Sequence, residues 1–431
     1  MAKVTTEGWD LVAVAKQSIL NDQLVKAYNK DIFPHQANVS VMEMSFNGIL
    51  GIPVSDLNPA STQGTNSIAS IIVPITGTVT VHGKQYTLPE NSTLGITSNL
   101  KYVKIQINEG EAMQLYLDLC SKMAVYSVTI QPSEDWVALL NGMIQYYFQN
   151  NFTGGSYYLG SVNLQGVTKE LLPVNNISFA TQPSKIDKSA NILAMTANTF
   201  AGSGGNLDFT NDPPLLPSTQ NVALYISNRC LLYNLVLPVL VKQLNTDNAS
   251  FTVTGGTATP YTLSLNRHIS ISGKYDPSLT SLKVYVNDSH EIQGDYGATG
   301  YPLSGLDSII WVEIIGKFDL TPQLSNVEQK ISFSVNAPHG SGSIHLSVGG
   351  WFIVGALIIA TFGSLGAVAG AVVAIVIPVV ITQLNLDVNM SSIADNIDTA
   401  KASFNWPAQK FCLINSIELP GDFILYLTLK D

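Results

Sequence analysis

From Ile331 to Leu386 the chain carries not one Asp, Glu, Lys or Arg. The centre of that stretch reads WFIVGALIIATFGSLGAVAGAVVAIVIPVVI, Trp351–Ile381. A helix that is apolar on every side cannot face water and must be enclosed by protein, lipid or both. A run of roughly 18 uncharged apolar residues ordinarily reads as a membrane span. Gly366-x-x-x-Gly370 adds a spacing that lets helices approach closely. Three readings compete. A permanent transmembrane anchor is weakened by the flanks, because no basic cluster is present to set its orientation. A buried helix, or a helical hairpin bent at Gly363-Ser364-Leu365-Gly366, is the structural reading. The third is a concealed segment that enters a membrane or holds an apolar ligand when triggered.

The rest of the composition narrows the class. With 431 residues the chain is too long for one ordinary core and points to two domains, or three. Hydrophobic residues make up 46%, which argues against disorder. Charged residues make up 12%, about half the usual ~25%. The formal net charge is −10, and the arginines are Arg229 and Arg267 alone. Nucleic-acid binding needs clustered positive charge, so it is excluded as a leading reading.

Periodicity along the chain predicts one order of elements, used twice. Trp9–Asn29 reads as an amphipathic helix, with Leu11, Ala15, Ile19, Leu20, Leu24 and Ala27 at spacings of three and four. Asn38–Thr129 reads as antiparallel strands punctuated by Gly, Pro and Asn. Pro132-Ser133-Glu134-Asp135 is a helix start, and Trp136, Leu140, Met143, Ile144 and Tyr147 mark one apolar side of a helix ending near Asn150. Ala201–Pro214 reads as a linker. The pattern then restarts with an apolar helix over Val222–Asn245, kinked at Pro238. Strands follow from Phe251 to about Val348, then the apolar helical segment, then strands at Phe411–Leu419 and Phe423–Leu429. The two opening helices align loosely, Ala13–Leu24 on Tyr225–Val236. This predicts a duplication with halves at 1–212 and 213–431.

Chemistry is sparse. There is no GxSxG, HExxH, Walker A or GxGxxG signature. No catalytic residue, metal site or cofactor is expected. His339 and His345 flank Gly340-Ser341-Gly342-Ser343, which reads as a flexible connection. Asp288, His290, Glu291 and Asp295 read as a solvated loop without a calcium rhythm. Lys101 and Lys104 flank Tyr102 on a strand and could meet a lipid phosphate, although a solvated face is the simpler reading. Trp9, Trp136, Trp351 and Trp406 are expected to pin helices onto sheets. Cys120, Cys230 and Cys412 read as three buried thiols. MAKVTTEGWDLV has no continuous apolar h-region, so it does not read as a signal peptide, and synthesis in a reducing cytoplasm is expected, with later release by lysis or an unusual route as the alternative.

The opening Thr6–Leu24, above all Gly8-Trp9-Asp10-Leu11-Val12, resembles the start of the OrfX-type proteins and their forty-seven-kilodalton relative in clostridial neurotoxin gene clusters. Ser227–Leu240, Gly363–Val373 and Leu419–Leu429 are similar to that family too. The resemblance implies the tubular lipid-binding (TULIP) fold: an α+β chain of two halves, each a long helix wrapped by a strongly curved antiparallel sheet. It implies a lipid or other apolar ligand, association with other toxin-cluster proteins, and no catalytic residues. On that architecture the groove would be lined by Leu20, Leu24, Leu140, Ile144, Leu232, Val236 and Leu240. Conditional membrane contact would fall to Trp351, Phe352, Leu357 and Phe362. The poverty in arginine does not support recognition of phosphorylated headgroups.

Overall fold

The computed structural model describes residues 6–31, 33–57, 68–107, 110–131, 135–150, 156–163, 174, 176–182, 191–199, 204–205, 216–217, 219–256, 259–302, 307, 310–336, 339–346, 365–384, 393, 397, 404–405 and 411–430. The first part of the chain runs β1 (Leu11–Lys16), α1 (Gln17–Asn29), β2 (Gln36–Val41), β3 (Met44–Leu50), β4 (Val54–Asp56), β5 (Ile68–Val81) and β6 (Lys84–Thr87). It continues with β7 (Thr93–Ile107), β8 (Gly110–Asp118), β9 (Val125–Thr129), α2 (Val137–Asn150), β10 (Ser156–Asn163), β11 (Asn176–Gln182) and β12 (Ile192–Asn198). The second part opens with β13 (Val222–Ile226), α3 (Asn228–Cys230), a π-helical segment (Leu231–Val236) and α4 (Leu237–Gln243). Its strands are β14 (Phe251–Thr254), β15 (Thr262–Leu265), β16 (Ile269–Ser270), β17 (Ser278–Val286), β18 (Ile292–Gly300), β19 (Ile310–Ser325), β20 (Lys330–Val335) and β21 (His339–Leu346). Helix α5 (Leu365–Leu384), β22 (Phe404–Asn405), β23 (Phe411–Glu418) and β24 (Phe423–Lys430) close it. The chain is α+β.

Both expected opening helices need the same correction. Leu11–Lys16 and Val222–Ile226 are strands, and helix begins only at Gln17 and Asn228. Each run is apolar without alternation because the sheet they enter is covered on both faces. Such runs cannot be told from helix by periodicity alone. That sheet has the order β11-β12-β1-β13-β24-β23 among the described residues. It is symmetric about the antiparallel β1–β13 pair, which matches Ala13 with Leu224. The Lys16 N–H donates to Asn221 O at 2.9 Å, and the Ser227 N–H donates to Asp10 O at 2.8 Å. These reciprocal bonds map Lys16 onto Ser227 and Asp10 onto Asn221. The repeat therefore sets Ala13 on Leu224, one residue away from the alignment suggested by sequence.

The remaining strands form two antiparallel sheets, one on each side of this centre. The first follows β2-β3-β5-β7-β8-β10-β22, with β4 and β6 on β5 and β9 on β7. The second follows β14-β15-β17-β18-β19-β20, with β16 on β17 and β21 on β19. Helix α2 packs on β9, β2 and β3, while α5 packs on β21, β19 and β18. Gly340-Ser341-Gly342-Ser343 is thus part of strand β21 and not a flexible connection. Residues 287–291 form the β17–β18 hairpin turn, where Asn287 Oδ1 accepts from the Ser289 and Glu291 amides at 2.9 and 3.0 Å.

Alternation sorts the central sheet into two faces. Leu11, Ala13, Ala15, Leu193, Met195, Leu224 and Leu425 join the main core, which runs through both halves. Val12, Val14, Ala194, Ala223, Tyr225, Ile424 and Tyr426 join a second cluster with Trp9 on the opposite face. An unpaired sheet edge invites association with another chain. Each edge of this sheet receives a side chain from its own half. Tyr102 Oη donates to Ser178 O on β11 at 2.9 Å. On β23, Gln329 Oε1 accepts from the Ile414 amide at 2.6 Å, and Gln329 Nε2 donates to Ile414 O at 3.4 Å.

Candidate functional site

All seven expected groove residues lie inside the main apolar core. Leu20 and Leu24 come from α1, Leu140 and Ile144 from α2, Leu232 and Val236 from the π-helical segment, and Leu240 from α4. Leu20, Leu140, Ile144 and Leu232 are 0% exposed. The expected kink at Pro238 takes the form of the π segment. The Leu237 N–H bonds to Leu232 O, one residue further back than in an α-helix. That widening loosens the backbone just ahead of a proline that lacks an N–H and crowds the preceding turn. Trp351, Phe352, Leu357 and Phe362 lie outside the described residues, as do Trp406 and residues 351–364 of the apolar segment.

The described part of that segment is α5, and its seat is paved with glycine. Val372, Val376, Val380 and Leu384 recur every fourth residue and are 0% exposed. A Cβ on Gly342 would come within 2.3 Å of Val373 Cγ2, and one on Gly340 within 2.5 Å of Ile377 Cδ1. A Cβ on Gly300 would meet Val372 and Val376 at 2.8 and 2.9 Å. The glycines let the helix lie close to β18 and β21. The opposite face of α5, with Gly370, Ala374 and Pro378, is exposed. Helix α2 has no charged residue either, and Ala138, Leu139, Gly142 and Tyr146 are exposed on it.

The polar centre of the molecule was not foreseen from sequence. Asp10 is fully buried, and its Oδ1 accepts from Arg229 Nη2 at 2.7 Å and Nε at 2.9 Å. Its Oδ2 accepts from Thr199 N and Oγ1 at 2.8 and 2.7 Å. Arg229 Nη2 also reaches Gly8 O at 3.2 Å. Ser227 caps the helix start by accepting from the Cys230 amide at 3.1 Å. The Asn228 N–H donates to Asp422 Oδ1 at 2.7 Å, and its side chain to Gly421 O at 3.1 Å. Trp9 Nε1 donates to Gly205 O at 2.9 Å, with the indole against Gly204 where no side chain would fit. Gly8-Trp9-Asp10, Ser227–Cys230 and Pro420-Gly421-Asp422 therefore meet in one place. The signal available in sequence was the rarity of arginine, with Arg229 set inside a restart that is otherwise uncharged from Val222 to Val241. Burial pushes the Cys230 thiol well up, so it stays protonated.

The other candidates are used structurally. Lys101 pairs with Asp118 at 2.6 Å and Lys104 with Glu111 at 2.7 Å, across β7 and β8. His345 Nε2 is 3.2 Å from Ser343 Oγ and 3.0 Å from Glu313 Oε2. Both contacts fall on one nitrogen, whereas a nucleophile relay needs serine and carboxylate on different ring nitrogens. Glu291 accepts from Thr321 at 2.8 Å, and Asp295 from Tyr285 at 2.9 Å. Among the described residues no group of three His, Cys, Asp or Glu is placed to hold a metal ion. Trp9 and Trp136 are buried, Trp136 lying 5.3 Å from the Tyr86 ring. Cys230 is buried, but Cys120 is partly exposed, correcting the expectation of three buried thiols.

These features define a class: an α+β chain with a symmetric central sheet and a charge-free helix packed on each flanking sheet. Within it, the chain has the fold of the P47 structures from Clostridium botulinum. It matches P47 of strain A2 with a TM-score of 0.68 at 17% identity, over 98% of this chain and 97% of that one. It matches P47 of strain E1 with a TM-score of 0.71 at 16% identity, over 98% and 100%. The resemblance read from the sequence is thus met at the level of fold. A lipopolysaccharide binding protein aligns with a TM-score of 0.27 at 9% identity, too low to bear on the fold. No family model and no curated protein sequence matches.

Proposed function

We propose that this protein is a non-enzymatic binder of lipid or another apolar ligand, accessory to a bacterial toxin complex. The observation that carries this reading is the pair of charge-free helices, α2 and α5, each packed on an antiparallel sheet within the P47 fold. An acyl chain gains about 0.8 kcal/mol for each CH₂ it buries against such surfaces. On this reading residues 1–212 and 213–431 are two TULIP-like halves. The toxin association follows from the sequence resemblance to proteins of neurotoxin gene clusters, supported by the P47 fold. The ligand is expected to be recognised by its tail, because Lys101 and Lys104 already face carboxylates. Native mass spectrometry before and after solvent extraction tests the reading. Discrete added masses that extraction releases as lipid support it. A clean apo mass, unchanged after incubation with mixed vesicles, sinks it and leaves a partner-binding scaffold.

A second reading is favoured by the uncharged stretch from Ile331 to Leu386: a toxin component that enters membranes through residues 351–381. Liposome leakage separates the two. Absence of leakage at every pH tested, with Gly366→Asp behaving as wild type, removes the second.

A further inference from the structure

Deeply seated tyrosines in this chain give their hydroxyl protons to a neighbour. Tyr102 donates to Ser178 O, Tyr126 donates to Leu119 O, and Tyr225 and Tyr426 hydrogen-bond to each other. Tyr296 differs. It stands on β18, 2% exposed, and its Oη has no hydrogen-bond partner among the described residues. A buried donor left unmade is costly, and tyrosine is ordinarily found with its hydroxyl paired. Packing alone does not require the hydroxyl. Tyr296 and Phe318 form a reciprocal pair: the Phe318 ring of β19 lies over Gly294 of β18, and the Tyr296 ring lies over Gly316 of β19. A Cβ on Gly316 would come within 2.4 Å of Tyr296 Oη. On its other side Gly316 pairs with Gly340 of β21, and Ile377 of α5 lies over Gly340. The hydroxyl therefore ends one strand short of α5, above a glycine floor. Every other inward position of β17, β18 and β19 carries an apolar side chain or glycine. The lysines of these strands, Lys283 and Lys317, take outward positions on either side of Asp295.

We propose that Tyr296 is the polar anchor of a lipid site on the inner face of the second sheet, donating to the ester carbonyl of an uncharged acyl lipid of the glyceride class. Charge selects the head. A carboxylate or phosphate would be buried on this face without a cation, at a large cost in desolvation. An ester carbonyl needs one donor and no countercharge. The tail is received by apolar side chains of the same face, Leu282, Ile314 and Phe318 among them. The inference rests on the lipid-binding reading and adds to it a ligand class and one directional contact.

The test uses the full chain and phosphatidylcholine vesicles carrying either dioleoylglycerol with isotopically labelled carbonyls or oleate. The protein is separated from the vesicles and its bound lipid is measured by native mass spectrometry. The wild type is expected to take up dioleoylglycerol in preference to oleate, with the labelled carbonyl stretch moved to lower wavenumber in the infrared. Tyr296→Phe is expected to bind dioleoylglycerol about tenfold more weakly and to lose the infrared shift. Free of lipid, the same variant is expected to melt higher than wild type, because it no longer buries an unmade donor. Tyr285→Phe removes a hydroxyl already given to Asp295 on the outer face, and is expected to change neither uptake nor the infrared band. Equal uptake by Tyr296→Phe and wild type overturns the site and leaves the lipid-carrier reading standing. Unchanged melting together with unchanged uptake overturns it too, and assigns the hydroxyl to a buried water. Preference for oleate overturns the uncharged head. Uptake of neither probe overturns the site. Extraction that yields another lipid then leaves the carrier reading standing, and a clean apo mass removes both.

Discussion

The Asp10 carboxylate and the Arg229 guanidinium, 219 positions apart, share two hydrogen bonds through a single oxygen at the junction of the two halves. Asp10 is wholly buried and Arg229 about a quarter exposed. Removing one partner of such a pair strands a charge in the interior and costs about 3–5 kcal/mol, whereas replacing both with apolar residues costs far less. Asp10→Ala is therefore expected to lose a stability of that order, and Asp10→Leu with Arg229→Met to lose less than the single change. Urea unfolding measures both. A single variant within about 1 kcal/mol of wild type would show that the pair does not hold the halves together.

Two glycines separate seat from surface. Gly342→Ala drives a methyl into Val373 and is expected to cost about 1–3 kcal/mol. Gly142→Ala lies on the open side of α2, where a Cβ meets nothing within 4 Å, and is expected to add about 0.5–1 kcal/mol through helix propensity. Thermal melts of the two variants should move in opposite directions. Movement in the same direction would contradict the close approach of α5 to β21.

The edge contacts of the central sheet predict an association phenotype. Tyr102→Phe removes the donor to Ser178 O, and Gln329→Ala uncovers Ile414. Each is expected to cost about 1 kcal/mol and to raise the oligomer fraction in light scattering, since a bared strand edge pairs with other chains. Monomeric double variants at high concentration would show that the edges are protected by other means.

Alkaline titration tests the burial of the tyrosines. Burial pushes the Tyr102, Tyr126 and Tyr225 hydroxyls far up, and that of Tyr426 up to about 12. In the unfolded chain each ionises near 10. Their contribution is thus fully present below pH ~10 and is lost as pH rises through the folded values. Tyrosinate absorbance should rise in two stages, exposed rings first and these rings together with unfolding. A single smooth titration near pH 10 would contradict their burial.

Much of the organisation was legible in the residues. The β-rich blocks, the apolar side and the end of α2, the Pro238 irregularity and the repeat of the order all follow from punctuation and periodicity, whereas the start expected at Pro132-Ser133-Glu134-Asp135 falls largely outside the described residues, and α2 begins at Val137. The two opening strands were misread for one reason. Alternation reports a strand only when one face meets polar surroundings, and LVAVA and VALYI are covered on both faces. Gly340-Ser341-Gly342-Ser343 was misread as a linker because glycine marks flexibility in isolation and close packing when a helix lies over it. The Asp10–Arg229 knot was invisible because its members are far apart in the chain.

By itself the sequence determined which segments must be hidden from water, where the chain turns, and that the pattern is used twice. These are local properties, set by backbone preference and side-chain polarity over a few residues. Only the tertiary structure decided that β1 pairs with β13 at Ala13–Leu224, that the Asp10 carboxylate of one half meets Arg229 of the other, and that α5 lies over Gly300, Gly340 and Gly342. Those outcomes depend on contacts between residues distant in sequence, whose energies exist only once the sheets have brought them together.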